Sequence, residues 1–319
     1  MTPLVSILIP LYNAQEYIAE TIENCLAQSY PNIEIIIIDD GSKDNSLQMA
    51  REYAEKHSSI KVYTQENSGA PRARNLAFEK SSGEYIQYLD ADDLISANKI
   101  SSQMAQVELY GKDTIFSSKF SYFTDSIDSA NIMHQRCNRS FDSGLEWLIA
   151  SWSGGGFGVV MGWLTPRHLI EGAGSWDETL KKNQDGEFFS RVLLNAKKII
   201  LTEDTMVYYR VAGDSSISSQ FNEPAAASTL YSLRLYEKNI EQISDPRLKK
   251  ALAYNYLEFI ESYYPHFPAL LSEAEHEIHQ LGFNFFTLVT PGKLGSLSKI
   301  IGSKNIIKLR YLLQKKRGR

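Results

Sequence analysis

An α/β fold is predicted, with a Rossmann-like, mainly parallel sheet flanked by helices and a helical C-terminal extension. Three observations predict it. Short β-branched runs alternate with helical patterns up to Leu89, aspartate clusters stand where two of those runs end, and residues 225–281 hold helical patterns alone. Alternation at that pace makes βαβ units, whose parallel strands are covered on both faces. Ligands of such sheets collect beyond the carboxyl ends of the strands.

Val5–Pro10 is short, apolar and β-branched, and reads as a buried strand. Asn13 is a candidate cap for a helix whose apolar positions Ile18, Ile22, Cys25 and Leu26 fall at helical spacing. Tyr30-Pro31-Asn32 breaks the chain, and isoleucine-rich Ile33–Ile38 follows as a second strand. Asp44 or Asn45 can cap the next helix, which runs to about His57. Ile60–Tyr63 reads as strand, Ala70–Lys80 as helix and Tyr85–Leu89 as strand. Beyond Asp113 the pattern loosens. Ile115–Phe123 reads as strand, Leu145–Trp152 as a short helix, and Ser153–Gly158, with four glycines, as a mobile or close-approach loop. Val159–Leu164 is strand-like, Pro166 suits a first helical turn, Gly186–Asn195 is helical and Met206–Tyr209 is a final strand. Pro291-Gly292 separates the later helices from a basic tail.

A chain of 319 residues is one large domain or one domain with an appendage. Its charge is uneven. From Ile278 to Arg319 there are nine Lys and Arg and no Asp or Glu, whereas the other 277 residues carry 24 Lys and Arg against 38 Asp and Glu. An acidic body with a basic end suggests an anionic surface as partner for the end, or a merely solvated tail. Two cysteines make no disulfide framework, and Cys25 reads as a small buried hydrophobe. With no charged-then-apolar leader and no apolar run near membrane-spanning length, a cytoplasmic location is expected.

The chemistry is concentrated in carboxylates. Asp90, Asp92 and Asp93 follow the strand-like run ending at Leu89. Positions two apart at a strand end share a face. Hard cations such as Mg²⁺ or Mn²⁺ need only one or two protein carboxylates when a phosphate supplies other oxygens. A calcium loop is excluded, because Leu94 and Ile95 stand where such a loop needs a ligand and a glycine. Asp39-Asp40-Gly41-Ser42 reads either as a plain turn or as a carboxylate placed to accept from a base or a ribose. In Asn67–Asn75, Arg72 or Arg74 could meet a nucleotide or brace the aspartates. Asp185 opens a helical segment, where acidic residues are favoured regardless of function. A catalytic Asp185 would face the cleft and take a proton from a hydroxyl. His276 and His279 read as surface residues. The four tryptophans read mainly as core, with Trp152 beside the glycine-rich loop an acceptor candidate.

Six motifs in order carry a resemblance: Val-Ser-Ile-Leu-Ile-Pro-Leu-Tyr-Asn (5–13), Ile-Asp-Asp-Gly-Ser (38–42), Asn-Ser-Gly-Ala-Pro-Arg-Ala-Arg-Asn (67–75), Gly-Glu-Tyr-Ile-Gln-Tyr-Leu-Asp-Ala-Asp-Asp (83–93), Gly-Ser-Trp-Asp-Glu (174–178) and Gln-Asp-Gly-Glu-Phe-Phe (184–189). Across about residues 3–220 the chain resembles the inverting nucleotide-sugar transferases of glycosyltransferase family 2, which have the A-type glycosyltransferase fold. The resemblance implies a catalytic unit over 1–220, with a nucleotide-binding half (1–112) and an acceptor-binding half (113–220), and leaves 221–319 as a helical extension with a basic tail. It implies that Pro10, Tyr12, Asp40, Arg72 and Asp90 bind a nucleoside diphosphate sugar, with UDP the expected nucleotide. Asp92, with Asp90, would hold Mn²⁺ or Mg²⁺, and Asp185 would be the general base. Trp152, Trp176 and Asp177 are acceptor candidates. Many members carry a histidine shortly after a Tyr-Arg pair; here Ala212 stands about there, and Asp214 or water would substitute.

The expected partners are a nucleotide-sugar donor, a glycan or lipid-linked acceptor in cell-surface polysaccharide synthesis, and an anionic membrane at the inner face of the cell membrane. No nucleic-acid partner is expected. One rival is a sugar-phosphate nucleotidyltransferase, which would want a glycine-rich basic loop where Leu11-Tyr12-Asn13-Ala14 stands. The other is a catalytically impaired glycan-binding relative. For the tail, Ile300, Ile301, Ile306, Ile307, Leu309, Leu312 and Leu313 would either enter a membrane interface or pack on the protein's own helices.

Overall fold

The structure, a computed structural model, describes residues 2–211, 220–289 and 295–316. Ala212, Asp214 and the Pro291-Gly292 break lie outside the described residues.

The first half follows the predicted alternation: β1 (Val5–Leu11), α1 (Ile18–Leu26), β2 (Ile33–Asp39), α2 (Ser46–Lys56), β3 (Ile60–Thr64), α3 (Ala70–Lys80) and β4 (Tyr85–Tyr88). These strands pair in parallel in the order β3-β2-β1-β4. Right-handed crossovers put α1 and α2 on one face and, once the chain reverses toward β4, α3 on the other. Buried on both faces, β2 needs no polar side, and Ile35, Ile36, Ile37 and Ile38 are all buried. Each contributes about 1.5–3 kcal/mol. The reversal between β1 and β4 is a topological switch point, where a crevice opens beyond the strand ends.

Asn13 does not cap α1. Its backbone is left-handed, its side chain accepts from the Lys43 N–H at 2.7 Å and its own N–H donates to Ser42 Oγ at 3.1 Å, so it joins the loops after β1 and β2. Of the two candidates at α2, it is Asp44 whose Oδ1 accepts the Ser46 N–H, at 3.0 Å.

The chain continues through β5 (Leu94–Ile95), α4 (Lys99–Met104), α5 (Val107–Tyr110), β6 (Thr114–Phe123) and β7 (Asn131–Ile132). Next come α6 (Gly144–Ala150), β8 (Trp163–Pro166), α7 (Arg167–Ala173), α8 (Gln184–Leu194) and β9 (Lys198–Arg210). The sheet grows by long-range pairs: β8 lies antiparallel to β4 and β6, β9 lies parallel to β6, and β5 lies antiparallel to β9. The result is a mixed, mostly parallel sheet flanked by helices. Three readings shift. Val159–Leu164 divides into a 3₁₀ turn, Val160–Gly162, and β8; Pro166 ends that strand instead of entering a helix; and β9 is much longer than Met206–Tyr209, because β6 supplies a full-length partner.

The glycine-rich stretch is a close approach. It forms a π-helical turn, Ser151–Gly155, and a Cβ at Gly158 would run into the Trp163 ring. Helices α9 (Glu223–Asn239), α10 (Pro246–Tyr263) and α11 (Pro268–Gln280) form the extension, followed by α12 (Gly295–Ile301) and α13 (Ser303–Lys316). Among the described residues no helix is long and apolar enough to cross a membrane. In the tail Ile306 and Ile307 pack on the protein and are buried, while Ile300, Ile301, Leu309, Leu312 and Leu313 are exposed.

Candidate active site

A cleft of about 1280 Å³ opens at the switch point and runs toward α10. Pro10, Tyr12, Asp40, Asp90, Asp92, Trp152 and Asp185 all line it. Asp40 is buried and already engaged: Oδ1 accepts from Ser68 N–H (2.8 Å) and Gln65 Nε2 (2.7 Å), and Oδ2 from Gly69 N–H (2.8 Å). A carboxylate offers about four acceptor positions, so roughly one remains for a ligand. Its first task is to hold the 67–69 loop that leads into α3. Tyr12 is half exposed at the rim.

Beyond β4, Asp90 accepts from Arg74 at 2.6 Å, and the Arg74 guanidinium lies 4.6 Å over the Trp176 ring. Asp92 has no side-chain hydrogen bond among the described residues. Burial, then the charge of Asp90, pushes its pKa up to about 6. Asp93 is fully buried and structural: Oδ1 accepts the Arg210 N–H at 2.8 Å, while Arg210 Nε donates to the Asp92 carbonyl at 2.8 Å. Burial and its two acidic neighbours push Asp93 well above the usual carboxylate range, and its Oδ2 has no partner among the described residues. Asp90 and Asp92 at the strand end, with Asp93 behind them, form an all-oxygen donor set of the kind that suits a hard divalent cation. Among the described residues there is no group of three His, Cys, Asp or Glu disposed to hold a metal unaided. Any metal held at Asp90 and Asp92 would need its remaining oxygens from outside the described residues.

Asp185 approaches from the opposite wall, in the first turn of α8. Loss of water raises its pKa; Arg74 and the Gly186 N–H pull it back, and Asp90 pushes it up. Arg74 thus acts on both Asp90 and Asp185. The helix start is tied down by Asn183, itself left-handed, whose amide donates to Ser232 Oγ (2.7 Å) and the Tyr236 hydroxyl (2.9 Å) on α9. A Cβ on Gly186 would run into that tyrosine hydroxyl, which accounts for the glycine after Asp185.

Some expected residues are not there. Arg72 pairs with Glu178 at 3.3 Å and does not line the cleft; positions two apart on a helix point about 200° apart, and it is Arg74 that faces the aspartates. Trp176 is core, stacked on Phe188 at 4.0 Å, and Asp177 closes a local turn by accepting from Thr179 N–H at 2.8 Å. Trp152 lines the cleft stacked on Tyr236 at 4.8 Å. Sequence reasoning missed Arg210, noticed only as part of a Tyr-Arg pair. It also missed Tyr236 and α10, whose stripe of aromatic and polar residues looks like any half-buried helix.

The Glycosyl transferase family 2 model matches residues 6–151. An uncharacterised glycosyltransferase of Haemophilus influenzae is 45% identical over 103 residues, 32% of this chain and 41% of that protein, so the match spans well under half of the relative's length. An uncharacterised glycosyltransferase of Rickettsia typhi is 31% identical over 235 residues, 72% of this chain and 71% of that one. Among solved structures, residues 1–349 of Staphylococcus aureus TarS superpose with a TM-score of 0.69 at 20% identity, covering 87% of this chain and 80% of that one, which establishes the shared A-type fold. TarS has also been crystallised with UDP-GlcNAc. By sequence over most of its length and by fold, the chain belongs to glycosyl transferase family 2.

Proposed function

We propose that the protein is a metal-dependent, inverting glycosyltransferase that moves a sugar from a nucleoside diphosphate, UDP in our reading, to a hydroxyl of a glycan or lipid-linked acceptor in cell-surface polysaccharide synthesis. The observation that carries this is the meeting of two walls: the Asp90–Asp92 pair on one, and Asp185, desolvated and within reach of the charges of Arg74 and Asp90, on the other. Pro10 and Tyr12 would flank the base, and Asp40 would offer it the remaining acceptor position. Asp90 and Asp92 would hold Mg²⁺ or Mn²⁺, which offsets the charge of the diphosphate and improves it as a leaving group.

Asp185 takes the proton of the acceptor hydroxyl, and that oxygen bonds to the anomeric carbon as the bond to the diphosphate oxygen breaks. The electron pair leaves with the diphosphate, and attack from the opposite face inverts the configuration. A carboxylate whose pKa is raised by desolvation is a stronger base than a solvated one. The exposed apolar residues of α12 and α13, with exposed Lys299, Lys308 and Lys315, would rest on an anionic membrane at the cytoplasmic face, where a lipid-linked acceptor is found. The test is release of nucleoside diphosphate from a panel of nucleotide sugars, with Mn²⁺ and with a chelator, and the anomeric configuration of the product read by NMR. Transfer undiminished by chelator, or a retained configuration, sinks the reading.

A further inference from the structure

The cleft does not end at Asp185. It continues between the π turn after α6 and the extension helices, where Asn255, Glu258, Phe259 and Ser262 of α10 line it. These positions stand three, four and seven apart, so they form one stripe of the helix. Phe259 is a buried apolar floor, and Glu258 and Ser262 are exposed to the cleft above it. One N–H of the Asn255 amide donates to the Ala251 carbonyl at 3.2 Å, and its oxygen is left to accept. Glu258 has no hydrogen bond or ion pair among the described residues. The recess dries it enough to raise its pKa, with Glu261 adding to the effect. The Glu258 oxygens are open to accept from a donor placed in the cleft. The stripe is also held in place relative to Asp185: α9, packed on α10, binds the start of α8 through Asn183 and its middle through Asn239, whose amide donates to Glu187 Oε1 (3.2 Å) and Ser190 Oγ (3.1 Å).

We infer that this stripe of α10 is the binding site for a neutral pyranose unit of the acceptor, with the ring over Phe259 and its hydroxyls donating to Glu258 and Asn255. A sugar ring offers an apolar face and several O–H donors, which is the complement of this surface. An anionic unit, such as a uronic acid or a sugar phosphate, would be repelled by Glu258, whereas Glu261 is paired with Arg310. The inference rests on the glycosyltransferase reading and assigns the extension the part of acceptor wall.

The test is saturation-transfer NMR with octyl β-glycosides of glucose, galactose, N-acetylglucosamine and glucuronic acid, on the full chain with UDP and Mn²⁺, with UDP affinity measured by calorimetry on each variant. The expected result is saturation of the ring protons of at least one neutral glycoside and none of the glucuronide. Ser262→Trp, which fills the recess from an exposed position, abolishes the signal. Glu258→Gln weakens binding about tenfold, the scale of one charge-assisted hydrogen bond, and both variants keep the wild-type affinity for UDP. Saturation unchanged in Ser262→Trp, a preference for the glucuronide, or no neutral glycoside bound overturns the inference. Absence of UDP binding in the unaltered protein would instead overturn the reading of the site as a nucleotide-sugar cleft.

Discussion

The two halves of the sheet are built by different rules. From β1 to β4 the strands run parallel to one another and each is joined to the next by one helix, so the connections are local, although β1 and β4 themselves pair across the whole unit, Val5 with Tyr85. The half around β6, β8 and β9 is assembled from pairs far apart in the chain, among them Gln87 with Leu164 and Leu94 with Tyr208. The first half offers its carboxylates as a cluster on one strand end, and the second delivers a single carboxylate on a helix that α9 must anchor. Holding charges together is a local problem here, and aiming one at them is a global one.

A buried polar chain joins the halves. Gln87 on β4 accepts from Lys99 on α4, Lys99 also donates to Gln103 at 3.0 Å, Gln103 reaches Ser118 on β6 at 3.1 Å, and Ser118 meets Thr205 on β9 at 2.7 Å. Lys99 is fully buried with no anionic partner among the described residues, and burial lowers its pKa to about 7.

The comparison breaks most directly at Asp92. Asp92→Asn keeps the shape and removes the charge that would hold the cation, so transfer should fall at least about a thousandfold, equivalent to roughly 4 kcal/mol. In thermal melts Mn²⁺ with UDP should stabilise the wild type and not the variant, since a ligand stabilises only the state that binds it. Near-normal turnover that still requires metal would refute the assignment. On the opposite wall, Asp185→Asn should cost about a hundredfold or more in kcat while UDP affinity stays, because a base acts on the acceptor. If the variant instead loses nucleotide affinity and turns over normally at saturating donor, the two walls do not divide the work as described.

A third measurement sharpens the view of the joint between the halves. Between about pH 7 and 10.5 the unfolded chain binds more protons at Lys99 than the folded one, so this group makes stability rise with pH across that window, by at most about 1.4 kcal/mol per unit. Lys99→Met should flatten that slope, seen as a difference between the two proteins in urea midpoints that changes steadily from pH 7 to 10. A constant difference would mean that Lys99 is solvated or paired in solution. The smallest effect is expected at the tail. Ile300→Ser with Leu312→Ser should reduce co-sedimentation with phosphatidylserine vesicles and leave neutral vesicles and stability unchanged. Lys304 and Arg310 already pair with Glu275 and Glu261, and each remaining cation is worth only about 1 kcal/mol at such a surface. Equal binding by both proteins would make α12 and α13 ordinary structure.

The sequence by itself determined the strands and helices up to β4 nearly to the residue, the place of Asp39–Ser42 and Asp90–Asp93 at strand ends, and the helical nature of the extension. Each of these depends on period, turn chemistry or propensity, which act over a few residues. Only the tertiary structure decided the rest. Arg74 and Arg72 sit on one short helix with equal claims in sequence, and its orientation on β1 and β2 turns one to Asp90 and the other to Glu178. Trp152 and Trp176 are alike in composition, yet one lines the cleft and the other is stacked in the core. Asp93 and Arg210 are 117 positions apart and meet because β9 runs beside β5. The extension becomes a cleft wall because Tyr236, Ser232 and Asn239 reach α8. Such pairings depend on which faces meet after folding, and no local window of the chain contains that information.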